Sequence, residues 1–281
     1  MSNRHNNITI FSDSSLALTN KIKDRVKLLP LYVYFDNNRV YNEIDGLERN
    51  QFFTMLEKEQ AYTSGCNPAD VEELLKNEVT KGNDVLVFSV SSGLSSTYNT
   101  IRLVAEEINE ESIEIGRNNK IRVIDTKSIS AGISFLVEKA FELIDDNETI
   151  DNIFDIITNE IDKIELYFIV DDLKYLARGG RINKSIAAVG DVLNIKPVLT
   201  FNKDGKIELL NKVRGLKMGI GHLVKAADKQ TNKRVIVARA NNNDVCNMLI
   251  AKSGVEETVD LDLVISSHTG PNAAAIVVYR E

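Results

Sequence analysis

Short β-branched runs that alternate with segments of helical period restrict the fold of this chain more than any other feature. NITIF (7–11), KLLPLYVYF (27–35), DVLVFSV (84–90) and KIRVID (120–125) are apolar and bounded by polar or turn residues, which is the signature of strands. Residues 48–59, 68–81, 94–110 and 129–145 place apolar side chains three and four apart, so each segment would bury one face of a helix. Pro68 opens one of them, a position where its missing N–H is not needed. Strands alternating with helices predict a mostly parallel sheet covered on both faces.

Near residue 160 the texture changes. The helical segment ETIDNIFDIITNEIDKI leads into ELYFIVDD (165–172), and KPVLTF (196–201) is followed by GKIELLNKV (205–213) across Asp204-Gly205, which predicts a β-hairpin. RGLKMGIGHLVKAADKQ, KRVIVARA, NNDVCNMLIAKSG, LDLVISSH and AAAIVVYR then predict helix, strand, helix, strand and strand. With 281 residues, 43% of them apolar, the chain can bury one large core or two modest ones. The expectation is a two-domain α/β fold. Residues 1–160 form an N-terminal domain with a mostly parallel sheet flanked by helices, and residues 161–281 a C-terminal mixed α/β sheet domain.

Composition removes several function classes. Lys plus Arg number 34 against 41 Asp plus Glu, a net charge of −7, which argues against bulk nucleic-acid binding. Cys66 and Cys246 are too far apart for zinc-ligand spacing, and His5, His222 and His268 are scattered, so no metal site is expected. The residues from Met1 to Ser15 carry no apolar stretch of signal-peptide length, and no run of eighteen apolar residues occurs; the chain reads as soluble and cytoplasmic.

Hydroxyls gather where strands end. Ser12, Ser14 and Ser15 surround Asp13 after the first strand; Ser89, Ser91, Ser92, Ser95, Ser96, Thr97 and Tyr98 follow DVLVF; Asp125, Thr126 and Ser128 follow KIRVI; Ser266, Ser267, His268 and Thr269 follow LDLVI. In open α/β sheets ligands bind outside the carboxyl ends of strands. Four hydroxyl-rich ends favour a shared pocket over separate caps, and Thr63-Ser64 adds a fifth group. The serine run is built for an anion, because it joins hydroxyl donors to the free N–H groups at a helix start.

Two enzymatic readings compete with a binding site. GLSST (93–97) approaches the G-x-S-x-G elbow of serine hydrolases, with Ser95 as nucleophile and His268 as base, yet Thr97 stands in place of the second glycine and no third acidic member stands out. A nucleotide-dependent phosphotransferase needs a phosphate cradle that RGGRINKS (178–185) does not supply. The acidic pairs Asp145-Asp146, Asp171-Asp172 and Glu256-Glu257 read as solvated faces and caps.

FSDSS (11–15), LPLYVYF with Tyr41, Glu43 and Asp45, TSGCNP (63–68), SSGLSSTY (91–98), VIDTKSISAG (123–132), LKYLARGGRI (173–182), NIKPVLTFNKDGKI (194–207), KVRG (212–215) and HTGPN (268–272) together resemble the ordered landmarks of the DegV family. The resemblance runs the length of the chain. It implies a two-domain, non-enzymatic protein that buries a long-chain fatty acid and presents it to a bacterial fatty acid kinase, which makes acyl phosphate for phospholipid synthesis. No cofactor or nucleic acid is implied, and contact with a membrane surface would be transient. Thr63, Ser95 and His268 match the headgroup positions, with Ser64, Ser96, Thr97 and Thr269 as additional candidates beside them. Arg181 and Arg214 would lie near the mouth, facing the kinase and its phosphate. The chain departs from the family pattern at Ser96 and Asn272, where relatives carry glycine, at Cys66, where they carry proline, and at Glu43, where they carry aspartate.

Two segments keep two readings each. SIAAVGDVLNIKPVLTF (185–201), with small Ala187, Ala188 and Gly190, could line an acyl tunnel or pack as ordinary core. The glycines between Arg178 and Arg181 either project the arginines outward or end a helix at Gly179.

Overall fold

The computed structural model describes residues 7–35, 39–42, 44, 46–188, 195–229, 232–241 and 244–281. Glu43, Asp45 and Gly190, singled out above, lie outside the described residues. In chain order the first half contains β1 (Ile8–Asp13), β2 (Lys27–Leu29), β3 (Tyr32–Phe35), β4 (Arg39–Asn42), α1 (Arg49–Leu56), β5 (Ala61–Ser64), α2 (Pro68–Thr80), β6 (Asp84–Ser89), α3 (Thr97–Glu114), β7 (Ile121–Asp125), α4 (Ala131–Asp145) and α5 (Ile150–Glu160). The second half continues with β8 (Ile164–Val170), α6 (Lys174–Arg178), α7 (Lys184–Ala187), β9 (Ile195–Phe201), β10 (Ile207–Arg214), α8 (Leu216–Ala227), β11 (Lys233–Arg239), α9 (Asp244–Ser253), β12 (Thr258–Asp260), α10 (Leu263–Thr269) and β13 (Ala273–Arg280).

The first sheet is parallel, in the order β2-β1-β6-β7. Its strands are covered on both faces, as their apolar runs require. Ile10, Leu86 and Phe88 pack with α4 and α5, while Phe11, Val85 and Val87 pack with α2 and α3. The second sheet is mixed, in the order β10-β9-β8-β13-β11-β12; only the β11–β12 pair is parallel. One of its faces, with Ile169, Val198, Val237 and Ile276, is covered by α8 and α9. The other face, with Leu166, Phe168, Ala238 and Ala275, meets Phe35 and Phe52 from the first half of the chain and Leu263 and Ile265 of α10. The two halves therefore share a core.

Three departures from the sequence reading have local causes. KLLPLYVYF is two strands: Lys27–Leu29 joins the parallel sheet, and Tyr32–Phe35 leaves it for a separate antiparallel sheet, β4-β3-β5. Pro30 stands at the break, where it has no N–H to continue a ladder. LDLVISSH forms α10, not a strand, because the Asp262 side chain accepts the N–H of Ile265 at 2.7 Å and caps the turn. The hydroxyls of Ser267 and Thr269 bond back to the carbonyls of Leu263 and Ile265, which a helix permits. The fourth hydroxyl cluster is thus helical. Short β4, β5 and β12 were not anticipated. Among the described residues, no helix is long and apolar enough to cross a membrane.

Candidate functional site

After β1 the chain crosses to β2 on one side, and β6 lies on the other. The ends of β1 and β6 therefore flank a topological switch point, where an open sheet leaves a crevice. Asp13, at the end of β1, organises that crevice. Its carboxyl group accepts hydrogen bonds from the Ser15 hydroxyl, the Ser15 N–H, the Ser89 hydroxyl and the Val90 N–H. Burial pushes its pKa up, and these donors oppose the shift. Two of the hydroxyls at the first two strand ends, those of Ser15 and Ser89, thus anchor one buried carboxyl group.

The loop from Ser91 to Ser96 runs from β6 into α3. Ser95 Oγ accepts the Thr97 N–H at 3.2 Å and pairs with the Thr97 hydroxyl at 2.8 Å. Gly93 lies against the tip of the β9–β10 hairpin: a Cβ there would stand 2.6 Å from the Asp204 carbonyl oxygen. The Ser91 hydroxyl donates to the Gly205 carbonyl at 2.8 Å, so the predicted hairpin closes over the serine loop.

Thr63 on β5 and His268 on α10 meet across the shared core, Oγ1 to Nε2, at 2.8 Å. The His268 Nδ1 edge packs on Gly179, which has no room for a Cβ. Burial and then the nearby positive charge of Arg181 lower the imidazole pKa to about 4, so His268 is neutral at neutral pH. Arg181 is half-buried, its Nε donating to the Leu94 carbonyl at 3.1 Å and its guanidinium also to the Gly179 carbonyl. The helix-ending reading explains that inward turn. Gly180 has φ +72°, and the Arg181 N–H returns to the Leu176 carbonyl at 3.1 Å, folding the chain back in a Schellman-type cap.

These groups line part of a cavity of about 320 Å³. Ser15, Thr63, Ser64, Ser95, Ser96, Ser130, Arg181, His268 and Thr269 supply its polar wall. Its remaining wall is mostly apolar and includes Leu166, Phe168, Phe201, Ile207, Ala238, Ala273 and Ala275. The alanines come together through strand register: Ala238 lies opposite Ala275, which lies opposite Phe168. A second, outer pocket of about 390 Å³ shares Thr63, Arg181 and His268 and is otherwise lined mainly by polar, charged and tyrosine side chains, among them Lys58, Lys174 and Arg178.

The structure brings together Thr63, Ser64, Ser95, Ser96, His268, Thr269 and Arg181. Thr97 is fully buried behind Ser95 and supports it. Arg214, at the end of β10, is exposed and does not line the cavity. Of the proposed tunnel segment, Phe201 lines the cavity, whereas Ile186, Val198 and Leu199 are buried in cores. Ser130 and the alanines of β11 and β13 were not anticipated as wall residues. Neither Ser96 nor Asn272 has a positive φ, so the loops accommodate residues other than glycine at both positions. The pairing that a hydrolase needs is not formed: Ser95 engages Thr97, and His268 engages Thr63. The arrangement can hold an anionic or polar head beside an apolar tail.

Residues 7–281 match the family model described as uncharacterised protein, DegV family. A DegV domain-containing protein of Clostridium perfringens is 30% identical over 281 residues, covering 95% of this chain and 95% of that one. Among solved structures, a fatty acid binding DegV family protein from Streptococcus agalactiae is 28% identical with a TM-score of 0.87, over 98% of this chain and 99% of that chain. A DegV family protein from Thermus thermophilus, described by its fatty acid binding, is 27% identical with a TM-score of 0.84, over 98% of this chain and 100% of the other.

Proposed function

This chain belongs to the DegV family, and from that premise we propose that it is a carrier that buries a long-chain fatty acid and presents its carboxylate to a fatty acid kinase. The observation that carries the reading is the two-character cavity, apolar along the β8–β13–β11 face and hydroxylic at the Thr63–His268 pair. Burying an acyl chain contributes about 0.8 kcal/mol per methylene, so the tail supplies most of the affinity and the head chiefly needs partners.

Thr63 and Ser95 donate hydroxyl protons to the carboxylate, with neutral His268 orienting Thr63 from the far side. Arg181 lies on the walls of both the cavity and the outer pocket; its charge faces the place where a phosphoryl group would be added. Arg214 would act at the surface, toward the kinase. The relatives from Streptococcus agalactiae and Thermus thermophilus, both described as binding fatty acids, support the ligand class.

Mass spectrometry of the purified protein, first under native and then under denaturing conditions, tests the reading. A fatty acid released on denaturation is expected; its absence, together with failure to bind added palmitate, would remove the proposal. With a fatty acid kinase and ATP, Arg181→Ala is expected to retain the acid while acyl-phosphate formation falls sharply. Full transfer by that variant would strip Arg181 of its role.

A further inference from the structure

Among the described residues, the buried hydroxyls of Ser128, Ser130 and Ser266 have no hydrogen-bond partner. Of these three, Ser130 alone lines the cavity. It is 1% exposed, and a hydroxyl removed from water without a partner forfeits its full hydration.

Two ordinary explanations for a serine here do not apply. Ser130 is the N-cap of α4, yet its side chain makes no cap bond, whereas Asn67, Thr149 and Asp262 at the same positions of α2, α5 and α10 each accept a helix N–H. Its backbone, at φ 53° and ψ −128°, lies where glycine is more comfortable. The residue is held there by its N–H, which donates to the Ser15 carbonyl at 2.9 Å. Ser15 lines the same wall. The 15-residue α4 therefore begins at the cavity, as α3 does beyond Ser95 and Ser96. Two helix starts give the polar end two positive poles.

We infer that Ser130 is a further ligand-binding residue, its hydroxyl donating to a carboxylate oxygen of the bound acid. The headgroup then sits between the starts of α3 and α4, met by Ser95 from one and Ser130 from the other. Asp13 does not compete for the Ser130 hydroxyl, since its own oxygens are engaged by Ser15, Ser89 and Val90. The inference rests on the fatty-acid reading above.

Titration of delipidated protein with palmitate, paired with urea unfolding of the same ligand-free samples, tests it. Ser130→Ala is expected to weaken palmitate binding by about tenfold or more while leaving the ligand-free unfolding midpoint unchanged or raised, because it removes an unpartnered buried group. Ser128→Ala, at a hydroxyl equally buried but off the wall, should bind as the parent does. Ser130→Gly suits the backbone and should also lose affinity without losing stability. Parent-like palmitate affinity in Ser130→Ala and Ser130→Gly would overturn the inference and leave the carrier reading standing. Destabilisation of the ligand-free protein by both variants would make Ser130 structural and overturn it too. A parent protein that binds no palmitate would instead overturn the carrier reading, and this inference with it.

Discussion

The cavity has two walls made in different ways. Its hydroxyl end gathers short groups from several elements, Ser15 after β1, Ser95 and Ser96 after β6, Ser130 at the start of α4 and the Thr63–His268 pair from β5 and α10, and the turns after β1 and β6 are held by hydrogen bonds around Asp13. Its apolar face is assembled by register, from β8, β11 and β13, which bring Phe168, Ala238 and Ala275 side by side. The first wall depends on local chemistry and would fail through unmet polar groups. The second depends on long-range pairing and would fail through lost or added volume.

That contrast can be broken most forcefully at Asp13. Asp13→Ala leaves the hydroxyls of Ser15 and Ser89 and two buried N–H groups without their acceptor, and is expected to lower stability by about 3 kcal/mol or more. Urea unfolding measures it. A loss under about 1 kcal/mol would mean that the polar wall does not depend on its hub.

On the register wall the effect should appear in affinity and not in folding. Ala275→Leu projects into the space beside Phe168 and Ala238, so the longest chain bound should shorten, at about 0.8 kcal/mol for each methylene displaced. Titration with saturated acids of increasing length would show this; an unchanged length profile would mean the chain does not run over the alanines.

The effect spread most gradually over conditions is in pH. His268 has a folded pKa near 4 against an ordinary value of 6.5, so the unfolded chain takes up its proton first as pH falls. The stability tied to neutral His268 is complete above about pH 6.5 and is lost as pH drops toward 4, by at most about 1.4 kcal/mol per pH unit. Subtracting the stability curve of His268→Gln from that of the parent isolates this slope. A flat difference between pH 4 and 6.5 would show that burial and the Arg181 charge do not hold the imidazole neutral.

The same contrast explains what could be read in the sequence. The serine runs following strand ends are visible without a fold, because each run is contiguous in sequence, whereas the meeting of Thr63 with His268 is not. Ala238 and Ala275 carry no local signal of a shared wall: 37 positions apart, they become partners only once β11 and β13 are paired. The segment 185–201 shows the same dependence on pairing: Phe201 lines the cavity while Ile186, Val198 and Leu199 serve cores, and the sequence does not distinguish them. His268 stands out in the cluster after LDLVI and takes its headgroup role from the family resemblance, while the apolar setting LDLVI disguises a helix whose marker is the capping Asp262. Pro30 was the neglected sign that KLLPLYVYF could not be one strand.

Thr63, Arg181 and His268 belong to both the inner cavity and the outer pocket, so they stand where the two spaces adjoin. On the carrier reading proposed above, an acyl chain entering by way of the second pocket would pass these polar groups tail first, and its head would arrive last. Departure would reverse the order, so the lifetime of the complex would grow with each methylene drawn back past them. The end offered to a second protein would then be the reactive one.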